Sequence, residues 1–442
     1  MDLAVLGGIP PQTRKERLVR KMFLGVLLLA CAVFSYNEAR AAGFGLYEFS
    51  ARGNALAGTT IARDATPGSM AMNPAQVARV PGLQIEAGMT TITAGADVTY
   101  DGHSQSTDRQ YFFVPHTYMT WQINEKFSAG LGIFSRFGLG NSYPEDWVGA
   151  TSIYDISVQS MSAQPTLAVN VNDWLSLGVG LEIMWFDIDI KNKIALGPAP
   201  VFGFDMGQVD SKISGDNYAI GGTLGVHLHP LDWLSIGVSY RTNIKQDVDG
   251  KAKFNKSDIN PLVQPMFGQA FENMGANGTI ILPAQTAFGV AVTPWADWTF
   301  EVDAIFTQWS SFEELKIDFD DNLMQGLPRP PVTSSVKEKD WRDVWRLSVG
   351  VEYAATDWLD LRAGYTYDQS PMRGYAMDAL IPAHDRHLFN VGAGFHMDEW
   401  SVDLAYTYLN AVSMSGHTVD GIPISYDNAD GHMFAVTAGY EF

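Results

Sequence analysis

Arginines that stand in alternating segments are the side chains best suited to bind an anionic group in this sequence. Arg241 closes the alternating run Leu234–Arg241, and Arg346 lies in a similar run. A guanidinium group can bind a carboxylate through two parallel hydrogen bonds, which are strongest where water is excluded. Because the alternation places both side chains on the polar face of their segments, we predict that Arg241 and Arg346 bind a ligand carboxylate.

Acidic residues on the same polar face are competing partners for these arginines. A buried charge must be paired, so an arginine that contacts one of them forms a structural ion pair. Arg362 is subject to the same alternative. The sequence leaves both interpretations open. The acidic residues concerned are Glu182, Glu352, Asp360 and Asp403.

Catalytic and metal-binding chemistry has little support in the sequence. The G-x-S-x-G nucleophile motif does not occur. His227 and His229 share one face of an alternating segment, but they adjoin a turn at Pro230 and lack a third metal ligand nearby. We therefore expect no catalytic residue, no metal and no cofactor. A lipid hydrolase is the enzymatic alternative.

The first 41 residues have the composition of a secretory signal peptide. Basic residues from Arg14 to Lys21 precede an apolar run, Met22–Phe34, and Ala39-Arg40-Ala41 fits the cleavage pattern. A lipoprotein cleaved before Cys31, the only cysteine, is the alternative. Removing residues 1–41 removes six basic and three acidic residues, which changes the net charge from −20 to −23. This acidic balance argues against a nucleic-acid partner.

From residue 82 onward the chain repeats one pattern, in which a short acidic turn is followed by strict alternation. After Trp174, apolar residues occupy every second position as far as Trp185, with serine, glycine or glutamate between them. A period of two over about ten residues is typical of a strand whose two faces meet different surroundings. The short turns lie at 124–126, 172–174, 231–233, 296–298, 356–358 and 398–400.

The position of the apolar face distinguishes a soluble sandwich from an outer-membrane barrel, in which that face meets lipid. Aromatic residues that flank the runs, short turns on one side and a C-terminal Phe442 favour the barrel. Six short turns join twelve strands, and one more strand must stand at each end. We therefore predict an all-β fold, a 14-stranded antiparallel transmembrane β-barrel over residues 82–442, in the outer membrane of a Gram-negative cell. The long connections are predicted at 101–110, 136–151, 191–212, 247–278, 310–339, 369–384 and 412–430.

Residues 42–81 fit neither a strand nor a helix. Small residues dominate this segment, and its apolar residues keep no regular period. A segment of about 40 residues without regular structure is usually functional or disordered. Since a fourteen-stranded barrel leaves a lumen, we predict that the segment folds into the lumen as a plug. A free N-terminal arm is the alternative.

Short motifs stand in a characteristic order along the chain. In that order they resemble the FadL/TodX family of outer-membrane transporters for hydrophobic compounds, which includes the long-chain fatty acid transport proteins. The most specific match is the run from Arg362 to Tyr365, followed closely by Tyr367–Pro371. The other matches are Ala42-Gly43-Phe44, Asn73-Pro74-Ala75, Phe137-Gly138-Leu139, Asp146–Gly149 and Leu282–Gln285.

The resemblance implies a passive mechanism. Members of the family capture a hydrophobic ligand in an apolar groove on the outer loops and pass it to a pocket inside the barrel. A hatch in the lumen then rearranges, and a kink in the third strand opens a lateral exit. By the same resemblance, the hatch of this chain includes Phe44, Asn73, Pro74 and Ala75.

The residues themselves supply candidates for the kink and the groove. Glycine weakens a strand and marks bulges, so we predict the kink at Gly138 and Gly140, with ordinary lumen-facing glycines as the alternative. Residues 254–274 carry apolar side chains in an otherwise polar loop, and an exposed apolar patch usually marks a binding surface. A loop that packs on itself is the alternative. The predicted groove residues are Phe202, Phe204, Leu262, Val263, Met266, Phe267 and Phe271.

We predict uptake of hydrophobic ligands, foremost long-chain fatty acids. Import of apolar or aromatic hydrocarbons is the alternative, and a water-filled porin is a third class, which a plug argues against. The expected partners are the ligand, outer-membrane lipid and lipopolysaccharide, and the barrel-assembly machinery during biogenesis. The protein itself is expected to be a monomer.

Overall fold

The computed structural model describes residues 43–198, 204–380 and 383–442. The predicted signal peptide (residues 1–41) and the groove candidate Phe202 lie outside these ranges. Strands dominate the described part of the chain. They are β1 (Leu83–Tyr100), β2 (His103–Ser106), β3 (Gln110–Gln122), β4 (Phe127–Phe134), β5 (Gly138–Ser142), β6 (Asp155–Asn172), β7 (Leu175–Ala195), β8 (Gln208–Leu231), β9 (Leu234–Arg241), β10 (Ile244–Asn255), β11 (Met274–Leu282), β12 (Gln285–Trp295), β13 (Trp298–Thr307), β14 (Glu314–Phe319), β15 (Ser334–Glu338), β16 (Val344–Thr356), β17 (Leu359–Asp368), β18 (Arg386–Met397), β19 (Trp400–Ala411), β20 (Met414–His417) and β21 (Pro423–Glu441).

Within the described residues these segments form a closed barrel of fourteen antiparallel strands, which confirms the predicted fold class. The barrel closes where β1 pairs with β21, from Gln84 opposite Glu441 to Tyr100 opposite Ile424. Seven barrel strands are continuous. The other seven consist of two segments each: β2/β3, β4/β5, β9/β10, β11/β12, β13/β14, β15/β16 and β19/β20.

The six predicted short turns all join neighbouring strands at one end of the barrel, and both ends of the barrel chain meet there. The Phe442 amide donates to the Leu83 carbonyl across 3.0 Å. The predicted long connections at the opposite end include residues that belong to strands in the structure. The β7–β8 ladder continues to the pair Ala195–Gln208, because polar residues such as Asp189 and Lys191 prolong the hairpin.

The two faces of the strands differ as the alternation predicts. On β7 the side chains of Leu177, Val179 and Leu181 face outward and are exposed, whereas Glu182 and Met184 face the lumen and are buried. The outer surface therefore carries an apolar belt. Among the described residues, no helix combines the length and the apolar composition needed to cross a membrane.

Residues 43–81 occupy the lumen, and we call them the plug. The plug contains a short helix, α1 (Ala51–Ala55), and two 3-10 turns, Pro67–Ala71 and Pro74–Arg79. Its backbone lies directly on inward-facing glycines of the wall. A Cβ added at Gly178 would overlap Pro74, and one added at Gly237 would overlap the backbone of Ile61. The small face of the strands is therefore the surface on which the plug packs.

The Asn73-Pro74-Ala75 motif ties the plug to itself and to the wall. The Asn73 side-chain oxygen accepts a hydrogen bond from the Ala75 amide (3.1 Å), which caps the second 3-10 turn. Its amide nitrogen donates to the carbonyls of Ile61 (3.0 Å) and Val226 (3.1 Å). One side chain thus binds three backbone groups, two in the irregular plug and one on β8.

Buried ion pairs hold the rest of the plug. Glu301 of β13 accepts hydrogen bonds from the backbone amides of three consecutive plug residues, Ile61 (3.0 Å), Ala62 (2.7 Å) and Arg63 (3.2 Å). It also pairs with the Arg63 guanidinium at 2.8 Å, and both side chains are fully buried. Arg52 is held in a similar way by Glu352 of β16, at 2.9 Å.

We expect Arg63→Ala to loosen the plug, because Glu301 then loses its charged partner in a site without water. Breaking a buried pair costs about 3–5 kcal/mol. Ion conductance of the purified protein in planar bilayers should rise well above that of the wild type. Arg79→Ala is the matched control, since Arg79 is partly exposed and makes only a 3.5 Å contact with the Asp173 carbonyl.

Heat-dependent gel migration reports whether the Arg63→Ala barrel is folded. A folded variant whose conductance equals that of the wild type would contradict the anchoring role of this ion pair.

Candidate functional site

The third barrel strand is interrupted, and this interruption makes a gap in the wall. Its first segment, β4, ends at Phe134, and its second, β5, begins at Gly138. β4 pairs with residues 117–122 of β3. In the described part of the chain, residues 110–116 of β3 have a strand partner only in β1. Within the described residues β5 therefore forms no ladder with β3, and a hydrogen bond from the Asp108 amide to the Ser142 carbonyl (2.9 Å) joins the two strands only beyond the upper end of β3.

The first plug residues replace the missing strand partner. We call residues 43–49 the strap. The Leu46 amide donates to the Arg136 carbonyl (2.7 Å), and the Gly138 amide donates to the Phe44 carbonyl (3.0 Å). These bonds satisfy backbone groups that the interruption leaves unpaired, as a wall in lipid requires.

The predicted kink glycines lie at this interruption, but their geometry serves packing. The break itself comprises Ser135, Arg136 and Phe137, directly before Gly138. Neither Gly138 nor Gly140 adopts a positive φ. Instead, each leaves room for a large side chain: a Cβ at Gly138 would approach Leu46 Cδ1 to 2.9 Å, and one at Gly140 would overlap the ring of Phe112.

Phe44 fastens the strap inside an aromatic box. Its ring centroid lies 4.9 Å from that of Trp309, 5.7 Å from Phe137, 5.9 Å from Phe312 and 6.1 Å from Trp341. Such aromatic contacts stabilise beyond the area that they bury. The strap is thus held by backbone bonds, aromatic packing and hydrogen bonds from Gln285 to Tyr47 and from Tyr118 to the Phe49 carbonyl. Buried ion pairs hold only the plug beyond it, within the described residues.

Arg241 faces the lumen as predicted, and its guanidinium group donates hydrogen bonds to other groups of the protein. It contacts Glu182 (3.0 Å), Gln164 (2.8 Å) and the carbonyl of Ala71 in the plug. Glu182 is shared with Arg136, at 2.9 Å. Arg241 therefore joins the plug to the wall, and its role in binding a ligand carboxylate stays a prediction.

Arg346 also faces the lumen and pairs with Asp368 of β17 at 2.8 Å. Its guanidinium lies 4.2 Å from the ring centroid of Tyr47, a strap residue. Arg362, in contrast, is paired by acidic residues on three sides: Glu352, Asp360 and Asp403. The structural alternative therefore describes Arg362 best.

The predicted groove residues separate into two groups, so the expectation of one exposed patch was wrong. Val263, Phe267 and Phe271 are buried in an outer loop cluster. The loop folds over the extended β8, β10 and β11 hairpins through the 3-10 turn Gln264–Phe267, and Phe204 packs against this cluster. Leu262 and Met266 remain exposed, by 77% and 62%. The other buried members of the cluster are Leu196, Met206, Val209, Ala252, Ile259, Ala270, Ala276, Phe319 and Leu323.

An apolar surface continues from the outer loop cluster into the barrel. Ile213 and Ile317 pack against the cluster and also line a small cavity of about 40 Å³ in the upper lumen. The other apolar residues that line it are Ile188, Ile190, Val248, Ala276, Ile280 and Leu315.

A second cavity of about 180 Å³ lies behind the wall gap, and we call it the wall cavity. It runs along the inner wall from β5 through β3, β1, β21 and β19 to β18. The strap, Phe112 and both kink glycines line one end of it, and His384 and Arg386 line the other. Sequence analysis missed these last two residues, although Arg386 stands at a lumen-facing position of its strand.

The histidine pair has a structural explanation. His227 is buried with Nε2 2.9 Å from the Ala62 carbonyl of the plug, and His229 contacts Ser235 at 2.9 Å. In the described ranges, no group of three or more potential metal ligands occurs.

A plugged antiparallel barrel with an apolar exterior and an interrupted third strand defines a class, the outer-membrane transporters of hydrophobic compounds. The profile of the family described as outer membrane protein transport protein (OMPP1/FadL/TodX) matches residues 32–442, and the chain belongs to this family. It is an outer-membrane protein that transports hydrophobic compounds.

Sequence relatives and solved structures agree with this assignment. The long-chain fatty acid transport protein of Escherichia coli O6:H1 is 27% identical over 424 residues, which cover 87% of this chain and 90% of the relative. The crystal structure of a Pseudomonas aeruginosa FadL homologue aligns with a TM-score of 0.78 at 20% identity, over 91% of this chain and 100% of its own. The Ralstonia pickettii toluene transporter TbuX aligns with a TM-score of 0.67 at 16% identity, over 90% and 100%.

We expect the double variant Leu262→Ser/Met266→Ser to weaken ligand capture. Covering an apolar side chain with ligand contributes about 1 kcal/mol or more, so the ligand concentration for half-maximal uptake should rise about tenfold while the maximal rate is kept. Val419→Ser is the matched control, because Val419 is an exposed apolar residue of another loop. An unchanged concentration dependence of uptake in the double variant would contradict a role of Leu262 and Met266 in ligand capture.

Proposed function

We propose that the protein takes up long-chain fatty acids passively and releases them sideways through the gap in the third strand. The observation that carries the proposal is the strap, which takes the place of a strand partner beside an interrupted strand. The strap is held by two backbone bonds, by aromatic packing and by hydrogen bonds from Gln285 to Tyr47 (2.9 Å) and from Tyr118 to the Phe49 carbonyl (2.8 Å). None of these contacts belongs to the strand ladder of the barrel, so the strap can leave without unfolding it. Its departure joins the wall cavity to the gap.

The route begins at the exposed pair Leu262 and Met266. Met266 is flexible and adapts to different apolar surfaces. The ligand then follows the apolar surface of the outer loop cluster and the isoleucine-lined cavity into the lumen. Residues 43–81 act as the hatch, with Phe44 in the moving strap and Asn73-Pro74-Ala75 in the anchored part.

Partitioning alone can drive this transport. An alkyl chain that leaves water for lipid gains about 0.8 kcal/mol for each methylene group. A lateral exit delivers the chain into the apolar interior of the membrane without a return to water. A cofactor or an energy source is not needed, and we propose a transporter without enzymatic activity.

Two observations bear on the ligand class. Arg386 beside the apolar lining of the wall cavity favours a ligand with a carboxylate, and the sequence relative named above is a long-chain fatty acid transport protein. The similarity to a toluene transporter favours the second candidate, import of aromatic hydrocarbons. We propose that the protein works as a monomer in outer-membrane lipid and lipopolysaccharide after insertion by the barrel-assembly machinery, which its closed apolar belt and terminal Phe442 support.

Uptake by cells tests the ligand class. In a Gram-negative host that lacks its own transporter of this kind, expression of the protein should accelerate uptake of radiolabelled oleate and leave uptake of toluene unchanged. Accelerated toluene uptake alone would establish the hydrocarbon alternative. Acceleration of neither would contradict the proposed function.

A reversible crosslink tests the moving strap. Gly45 and Phe137 are partners in an antiparallel bridge, a geometry that suits a disulfide. In the Gly45→Cys/Phe137→Cys variant we expect oxidation to abolish most oleate uptake and reduction to restore it. Each single cysteine variant serves as a control. Equal uptake by the oxidised and reduced forms would exclude a strap that must detach.

A further inference from the structure

The wall cavity has one polar end and one apolar floor. Leu409 and Ala411 belong to its lining and also to an apolar cluster beneath it. Arg386 and His384 stand side by side at the β18 end. The floor cluster also includes Ile92, Leu388 and Met433. An elongated ligand with one polar group would therefore place that group at the β18 end and its apolar tail along the floor.

Arg386 belongs to a group with two cations and one shared anion. A single oxygen of Asp368 pairs with Arg346 and with Arg386, each at 2.8 Å. Asp368 is almost fully buried, whereas Arg386 is 22% exposed toward the cavity. One carboxylate neutralises one guanidinium, so the group has capacity for a second anion.

The donor atoms of Arg386 are also incompletely used. Its Nε is buried and lacks a hydrogen-bond partner within the described residues. The comparable group around Glu182 differs, because Arg241 and Arg136 direct their remaining donors at Gln164, Ala71 and Gln285. Leaving a buried charged donor unpaired is costly, and a ligand oxygen would remove that cost.

His384 supplies a second unpartnered group. It is 97% buried, since only 3% of its surface is exposed, and its ring nitrogens lack a well-formed hydrogen bond in the described part of the chain, although the backbone of Val412 lies close by. Its ring packs against Tyr426, with centroids 4.7 Å apart. Burial lowers the pKa of His384 to about 4, so the ring is neutral at pH 7 and offers one donor and one acceptor.

Two carboxylates also line the wall cavity, Asp108 and Asp430, and Asp430 pairs with Arg109. Tyr47 of the strap covers the guanidinium of Arg346, so the strap adjoins both the cation group and the gap.

We propose that Arg386 and His384 bind the carboxylate head of an alkyl carboxylic acid in the wall cavity, with the tail along Leu409 and Ala411 toward the gap. This assignment rests on the proposed function and names the residues that select its substrate class. The cavity of about 180 Å³ is smaller than the roughly 300–1,000 Å³ of ordinary ligand sites. The strap must therefore shift to admit a long chain, which couples head-group binding to opening of the gap.

Binding measurements on the purified full-length protein test the assignment. Titration calorimetry compares oleate with oleyl alcohol, which has the same tail and an uncharged head. In Arg386→Met we expect oleate affinity to fall about tenfold or more, the loss of a charge-assisted hydrogen bond. Affinity for oleyl alcohol should not change. His384→Phe keeps the packing on Tyr426 and should weaken oleate binding alone by a smaller factor.

Two further variants distinguish the loss of a ligand contact from a general disturbance of the structure. Arg373→Met is the matched control, since Arg373 is an exposed arginine of the same loop. Asp368→Asn removes the shared carboxylate and keeps both guanidinium groups, so oleate should bind at least as tightly as in the wild type.

The outcomes separate the two proposals. Equal loss of both ligands in Arg386→Met, or weakened oleate binding in Asp368→Asn, overturns the carboxylate assignment while the transporter proposal stands. A wild-type protein that binds neither ligand overturns the proposed function, and this assignment with it.

Discussion

A fourteen-stranded barrel encloses a lumen that its own side chains cannot fill, and every other feature of this molecule depends on how that lumen is occupied. The occupant is an irregular segment, so its backbone groups need partners from the wall. Glu301 of the wall binds three consecutive amides. Asn73 of the plug itself binds two further plug groups and one carbonyl of β8, and inward glycines such as Gly237 let the segment approach closely. The barrel and its plug therefore form one packed unit.

The plug is not held uniformly, and this unevenness links the fold to transport. Beyond Ser50 it is fixed by buried ion pairs such as Arg63–Glu301, whose loss is costly. The strap is fixed by two backbone bonds to the interrupted strand and by the aromatic box around Phe44. In lipid a wall cannot leave its backbone groups unpaired. The strap thus closes the interruption, and within the described residues it does so without an ion pair to the wall.

The buried arginines show how similar charges serve different purposes. Arg241 and Arg63 are each paired with a buried carboxylate of the wall and also donate to a plug residue, so they stabilise the closed lumen. Arg346 and Arg386 share one carboxylate oxygen beside an apolar cavity. The buried Nε of Arg386 is without a hydrogen-bond partner in the described residues, so this group can bind a further anion beside the strap and the gap.

The sequence by itself determined the number of strands, their two faces and the position of the plug, because a period of two and short acidic turns are local signals. It also singled out Gly138, which directly follows the interruption of the third strand, and the role of this glycine as a kink stays a prediction. Tertiary structure alone decided which charges meet. Arg63 and Glu301 are 238 residues apart in the sequence. One oxygen of Asp368 pairs with both Arg346 and Arg386, which alternation along single strands does not reveal. Tertiary structure also buried Val263, Phe267 and Phe271 by folding the loop over long hairpins, and it brought His384, Arg386 and Phe112 to one cavity. The alternating pattern of a strand predicts which face of the sheet a side chain occupies. The position of that side chain along the barrel axis and its contact partners depend on how distant segments pack inside the lumen.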